Sequence, residues 1–132
     1  MKEVNVIVIC QEFTFFPLLI YKLKERKINL TITNCSNTDE AASIYDPGET
    51  DLVILDITWA DIYMSSSTLI KKLRGKAPLL KMIGVTKNCN KNIIRRLKQL
   101  NIQGYFCWDT ESLTPILDCI EKVVAGEKHY CQ

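Results

Sequence analysis

Five short apolar runs alternate with five helical patterns along this chain, and no other feature constrains the fold as strongly. The runs are Val4 to Cys10, Ile28 to Thr33, Leu52 to Asp56, Leu79 to Val85, and "GYFCW" from Gly104 to Trp108. Phe16, Leu19, Ile20 and Leu23 fall at i, i+3, i+4 and i+7, which predicts the first helix, with Pro17 suited to its first turn. "NTDEAASIYD" predicts a short helix in which Asn37 and Glu40 are spaced as a capping box, and "DPGE" at 46–49 predicts a turn. Leu69, Ile70 and Leu73 mark a helix from about Ser65 to Arg74. Ile93, Ile94, Leu97 and Leu100 mark a fourth helix, and Leu113, Ile116, Leu117, Ile120, Val123 and Val124 a fifth.

Strict alternation of strand and helix implies a parallel sheet covered by helices on both faces. Right-handed crossovers leave few topologies, and the expected one is a flavodoxin-like, doubly wound α/β sheet of five strands in the order 2-1-3-4-5. The chain has 132 residues, 47% of them hydrophobic and 24% charged, which suits one domain with a core that needs no staples. A net charge of +2 does not by itself point to nucleic acid. The apolar stretches are shorter than a membrane span, and "MKEVNVIVIC" has no small-residue cleavage site behind it, so the expected location is the cytoplasm. The six cysteines, Cys10, Cys35, Cys89, Cys107, Cys119 and Cys131, are expected to be free thiols, since there is no export signal. There is no CxxC, and the only histidine is His129, so a zinc site lacks both spacing and ligands.

In "DLVILDITWA", Leu52 to Leu55 read as a strand buried on both faces, and Asp56 follows at once. Ligands of such sheets bind beyond the carboxyl ends of the strands, near the switch between strands 1 and 3. That edge collects Cys10, Gln11 and Glu12, then Asp56, Thr86, Trp108 and Asp109. From the residues alone Asp56 could instead cap the next element, Thr86 could be the N-cap of the helix after it, and Tyr105 could be a core aromatic.

On these motifs the chain resembles the receiver domain of two-component response regulators, over residues 1–125. "LVILDI" is similar to the phospho-acceptor strand, "MIGVT" to the fourth strand and "GYF" to the fifth. The resemblance implies Asp56 as acceptor, Thr86 as the hydroxyl that bonds a phosphoryl group, and Tyr105 as the aromatic that moves inward when Thr86 is drawn to it. It implies a sensor histidine kinase as partner, and Mg²⁺ held near Glu12, Asp56 and Thr58 if the acceptor is used. It implies regulation through contacts, not turnover of a substrate. "VVAGEKHYC" is similar to the approach to a helix-turn-helix domain in the NarL/LuxR-type subfamily. Residues 126–132 would then begin a connection to a DNA-binding domain beyond residue 132 that controls transcription.

The chain departs from the family pattern at the charged positions. Cys10-Gln11, or Gln11-Glu12, stand where the family has two acids, and Trp108 stands where it has a lysine. "ITWADIYMSSS" has neither the proline nor the glycine of the usual loop. Each lost electrostatic group is worth roughly two to three powers of ten in rate. Phosphorylation of Asp56 is therefore expected to be slow or absent, and a phosphorylation-independent interaction module is the alternative. A remoter alternative is a cysteine phosphatase, since Cys89 and Arg95 have C-x5-R spacing, although that loop lacks glycine. Lys87, Lys91, Arg95, Arg96 and Lys98 line the fourth helix and its approach, while Asp118 and Glu121 lie on the fifth. The resemblance implies a homodimer through helix 4, strand 5 and helix 5, and the opposite charges suggest that Arg95 and Arg96 would face Asp118 and Glu121 across its two-fold axis, with solvated helix faces as the alternative.

Overall fold

The computed structural model describes residues 1–9, 16–57, 60–87, 91–108 and 112–131, and within the third helix the side chains from Thr68 onward. In chain order the elements are β1 (Lys2–Ile9), α1 (Phe16–Glu25), β2 (Ile28–Cys35), α2 (Thr38–Ile44), β3 (Leu52–Asp56) and α3 (Ala60–Lys76). β4 (Lys81–Thr86), α4 (Lys91–Gln99), β5 (Gly104–Cys107), α5 (Thr114–Val124) and β6 (His129–Tyr130) complete the fold. Every strand pairing is parallel, and the sheet order is β2-β1-β3-β4-β5-β6. The doubly wound architecture is the one the alternation implies. The difference is a sixth strand on the outer edge of β5, formed inside the segment read as a connection.

Alternation along the strands sorts the core into two layers. Val4, Val6 and Val8 of β1, Leu52 and Ile54 of β3, Ile83 and Val85 of β4, and Phe106 of β5 pack with α1 and α5. Ile7, Ile9, Val53, Leu55, Met82 and Tyr105 point the other way and pack with α3 and α4. A central strand faces both layers, so Leu52 to Leu55 are all apolar, and all five residues of β3 are buried, Asp56 included. At the start of α2 the Asn37 side chain accepts from the Glu40 amide at 2.8 Å. The return bond of this cap goes from the Ser36 amide to Glu40 Oε2 at 3.1 Å, one residue earlier than a capping box requires. No described helix is long and apolar enough to cross a membrane.

Three expectations are corrected. β4 begins at Lys81, not Leu79, and Leu79 is 90% exposed. Arg74 donates to the carbonyls of Pro78 and Leu80, so the backbone turns there before the strand starts. α3 extends over Ala60–Lys76, beyond both ends of the apolar spacing used to place it. Cys107 is disulfide-bonded and not a free thiol. Cys35, Cys119 and Cys131 are free, while Cys10 and Cys89 lie outside the described residues. A cystine needs two Cα atoms within about 7 Å, which is decided by how strand ends meet and not by spacing in the chain.

Candidate functional site at the carboxyl edge of the sheet

Asp56 closes β3 with only 5% of its surface exposed, although nothing in an apolar strand requires a carboxylate there. The register places it in a row with Val85 of β4 and Phe106 of β5. The Ile57 amide donates to the Val85 carbonyl at 2.8 Å, so pairing with β4 holds the chain straight just past the acid. Asp56 thus sits at the carboxyl edge where the alternation argument put it, beside the end of its neighbour.

Thr86 ends β4, 3% exposed, and Tyr105 lies in β5, wholly buried. Thr86 is paired with Cys107 and Gly84 with Tyr105, which sets both side chains on the α4 side of the sheet. Their hydroxyls meet at 2.5 Å. Two buried hydroxyls need partners, and each meets part of the other's need. The Cys107 sulfur lies 3.7 Å from the Tyr105 hydroxyl; as half of a disulfide it has no proton to donate. Close packing sets the depth of the tyrosine. A Cβ added to Gly84 would stand 2.8 Å from Leu97 Cδ1, so α4 rests almost on the β4 backbone beside the ring.

Trp108 follows β5, and its amide donates to the Thr86 carbonyl at 2.9 Å. Its half-buried ring packs on the α1–α5 layer, and its buried indole Nε1 has no hydrogen-bond partner among the described residues. Lys87 places its ammonium 5.8 Å from the ring centroid, within range of a cation–π contact. A cation therefore adjoins position 108 from the next strand, a placement no spacing in the sequence announces.

The remaining predicted residues are scattered. Cys10, Gln11, Glu12, Thr58 and Cys89 lie outside the described residues. Among the described residues no group of three His, Cys, Asp or Glu could hold a metal ion. Among the described residues the carboxylate at this edge is Asp56, which would hold Mg²⁺ together with waters and phosphate oxygens. Arg95 and Arg96 are exposed on α4, while Ile94 and Leu97 of the same helix are buried. Asp118 and Glu121 lie on the opposite side of the sheet, where Arg26 Nη1 pairs with them at 2.7 and 3.2 Å. Cys119 of α5 is fully buried, and burial pushes its thiol well above the ordinary range, so it is inert at neutral pH.

No family model matches the sequence, and no curated protein matches it. Solved structures do match its fold. A LuxR-family two-component response regulator from Aurantimonas superposes with a TM-score of 0.76 at 12% identity, covering 97% of this chain and 89% of that one. The isolated receiver domain of RcsB from Salmonella enterica, solved in the presence of the phosphomimetic BeF3-, superposes at 0.73 with 21% identity, covering 99% and 95%. The response regulator TrrA from Thermotoga maritima, in complex with Mg(2+)-BeF, superposes at 0.65 with 24% identity, covering 93% and 99%. The chain has the fold of response-regulator receiver domains.

Proposed function

We propose that this chain is a receiver-type signal-input module whose output is a change in protein contacts. Asp56 is its phospho-acceptor position, and the inward arrangement of Thr86 and Tyr105 is formed without a phosphoryl group. The single observation that carries this reading is the 2.5 Å contact between two buried hydroxyls at the carboxyl edge. The Thr86 hydroxyl that a phosphoryl group would draw is already engaged, and the Tyr105 ring has no surface exposed. A hydroxyl has one proton to donate, so where Thr86 donates to Tyr105 it must give up that bond to donate to a phosphoryl oxygen. Trp108 in place of a lysine supports the same direction, because its indole supplies no fixed positive charge.

The proposal includes a sensor histidine kinase as donor where Asp56 is used, and control of transcription through a DNA-binding domain joined to residues 126–132. The test is mass spectrometry of Asp56 after incubation with acetyl phosphate and Mg²⁺, with Asp56→Asn as control and the Tyr105 ring resonances followed by NMR. A slow, partial adduct on Asp56 with little movement of Tyr105 is the expected result. Rapid full labelling with a large shift of the Tyr105 ring would overturn the preformed arrangement. No adduct at all selects the phosphorylation-independent interaction module.

A further inference from the structure

β6 is only two residues long, yet it lies against the one strand that carries Tyr105. The His129 amide donates to the Gln103 carbonyl at 2.9 Å, and the Cys131 amide donates to the Tyr105 carbonyl at 2.9 Å. Tyr130 is the register partner of Tyr105. Paired residues of parallel strands project from the same face, about 4.8 Å apart. Both rings accordingly face the α4 layer, Tyr105 buried within it and Tyr130 packed on its margin. Tyr130 is fixed there at both ends. Its hydroxyl donates to the Ile102 carbonyl at 2.5 Å, and Lys98 of α4 holds its ammonium 5.0 Å from the ring centroid.

Other described residues flank Tyr105 as well. Gly84 of β4 lies beside it in the sheet, and Leu97 and Ile57 pack with it in the same layer. The side toward the sheet edge is the way out for the ring, and Tyr130 stands in it. We propose that Tyr130 is a gate on Tyr105: the docked C-terminal strand keeps the hydroxyl pair closed, and release of β6 lets Tyr105 leave Thr86. The ligand of the β5 edge is thus the chain's own segment His129–Cys131. β6 is a two-residue strand at the sheet edge, whereas β3 has five residues and a strand on either side, so β6 opens more readily than the sheet interior. Coupling of this kind is reciprocal, so a force that displaces β6 loosens the Thr86–Tyr105 contact, and loss of that contact loosens β6. The inference rests on the switch pair proposed above.

Nitration by tetranitromethane, located by peptide mass spectrometry, reads the gate directly. In Tyr130→Ala, and in a chain ended after Lys128, Tyr105 should be nitrated roughly tenfold faster than in the wild type, the scale of one lost net hydrogen bond. Tyr130→Phe keeps the ring and should stay near the wild-type rate. Tyr45, 8% exposed in a different part of the same layer, reports intact folding by remaining protected. A protected Tyr105 in both the alanine and the truncated proteins overturns the gate. A measurement on the unaltered chain guards against variants that unfold. In graded urea, nitration of Tyr105 should follow amide exchange of Cys131; if it follows exchange of Ile54 in the centre of the sheet, the gate is wrong. Labelling of Asp56 by acetyl phosphate is read separately, so failure of the gate and failure of the receiver reading give different results.

Discussion

At the scale of single residues, the contact between Thr86 and Tyr105 is the point on which the site turns. Both side chains are enclosed, and an enclosed hydroxyl that loses its partner keeps its desolvation cost. Tyr105→Phe should therefore lower stability by about 1 kcal/mol in urea denaturation, the usual net value of one hydrogen bond. Thr86→Val combined with Tyr105→Phe should cost less than the two changes summed, because together they remove both members of one pair. Asp56 and Thr86 were legible in the sequence because each polar residue ends an apolar run. Their neighbours were not. That Lys87 lies over Trp108, or that Tyr130 stands beside Tyr105, depends on strand register, which no local pattern states.

At the scale of elements, the seat of α5 on β5 depends on one missing methyl. A Cβ at Gly104 would stand 2.7 Å from Val123 Cγ2, 3.0 Å from Ile83 Cγ1 and 3.1 Å from Cys119 Sγ. Val123 is β-branched in a helix and has almost no alternative rotamer. Gly104→Ala should destabilise the protein by roughly 1–3 kcal/mol, read from the urea midpoint. Gly84→Ala should cost less, since the atom it meets is the far end of the Leu97 side chain. β6 carries a pH dependence of its own. Burial first, and the nearby Cys119 thiol second, raise the Tyr130 phenol above its ordinary value. The folded state therefore favours the neutral phenol. Its contribution is complete below the free phenol value of about 10 and is lost as pH rises through the higher folded value. Exchange of the His129 and Cys131 amides should accelerate over that alkaline range before the sheet unfolds, and Tyr130→Phe should remove the Tyr130 component. Lys98 packs on the same ring, so Lys98→Met is the companion control.

For the whole molecule, the sheet divides charge as well as core. The cations of α4 face outward on one side, and the acids of α5 meet Arg26 on the other. Those acids remain about half exposed, so their ion pairs with Arg26 are worth little and a second copy can compete for them. A two-fold contact through α4, β5 and α5, as the family resemblance implies, would meet β6 on the outer edge of β5. Sedimentation velocity at low salt is the check: Arg95→Glu with Arg96→Glu should shift a dimer toward monomer, and unchanged sedimentation would eliminate the charged contact. Added salt should act in the same direction as the substitutions, since exposed pairs are screened beyond about 10 Å at 0.1 M.

The order of strands and helices, the buried run of β3 and the acid at its end follow from the sequence by itself. Periodicity and residue size are local, and a parallel sheet leaves few ways to satisfy them. Only the tertiary structure decided that Thr86 and Tyr105 share a hydroxyl contact, that Cys107 is bonded to another cysteine, and that the C-terminal segment returns as β6. Each of these joins residues far apart in the chain, or on different strands, across distances of a few ångströms. Such distances are set by register and by the depth to which helices settle on the sheet.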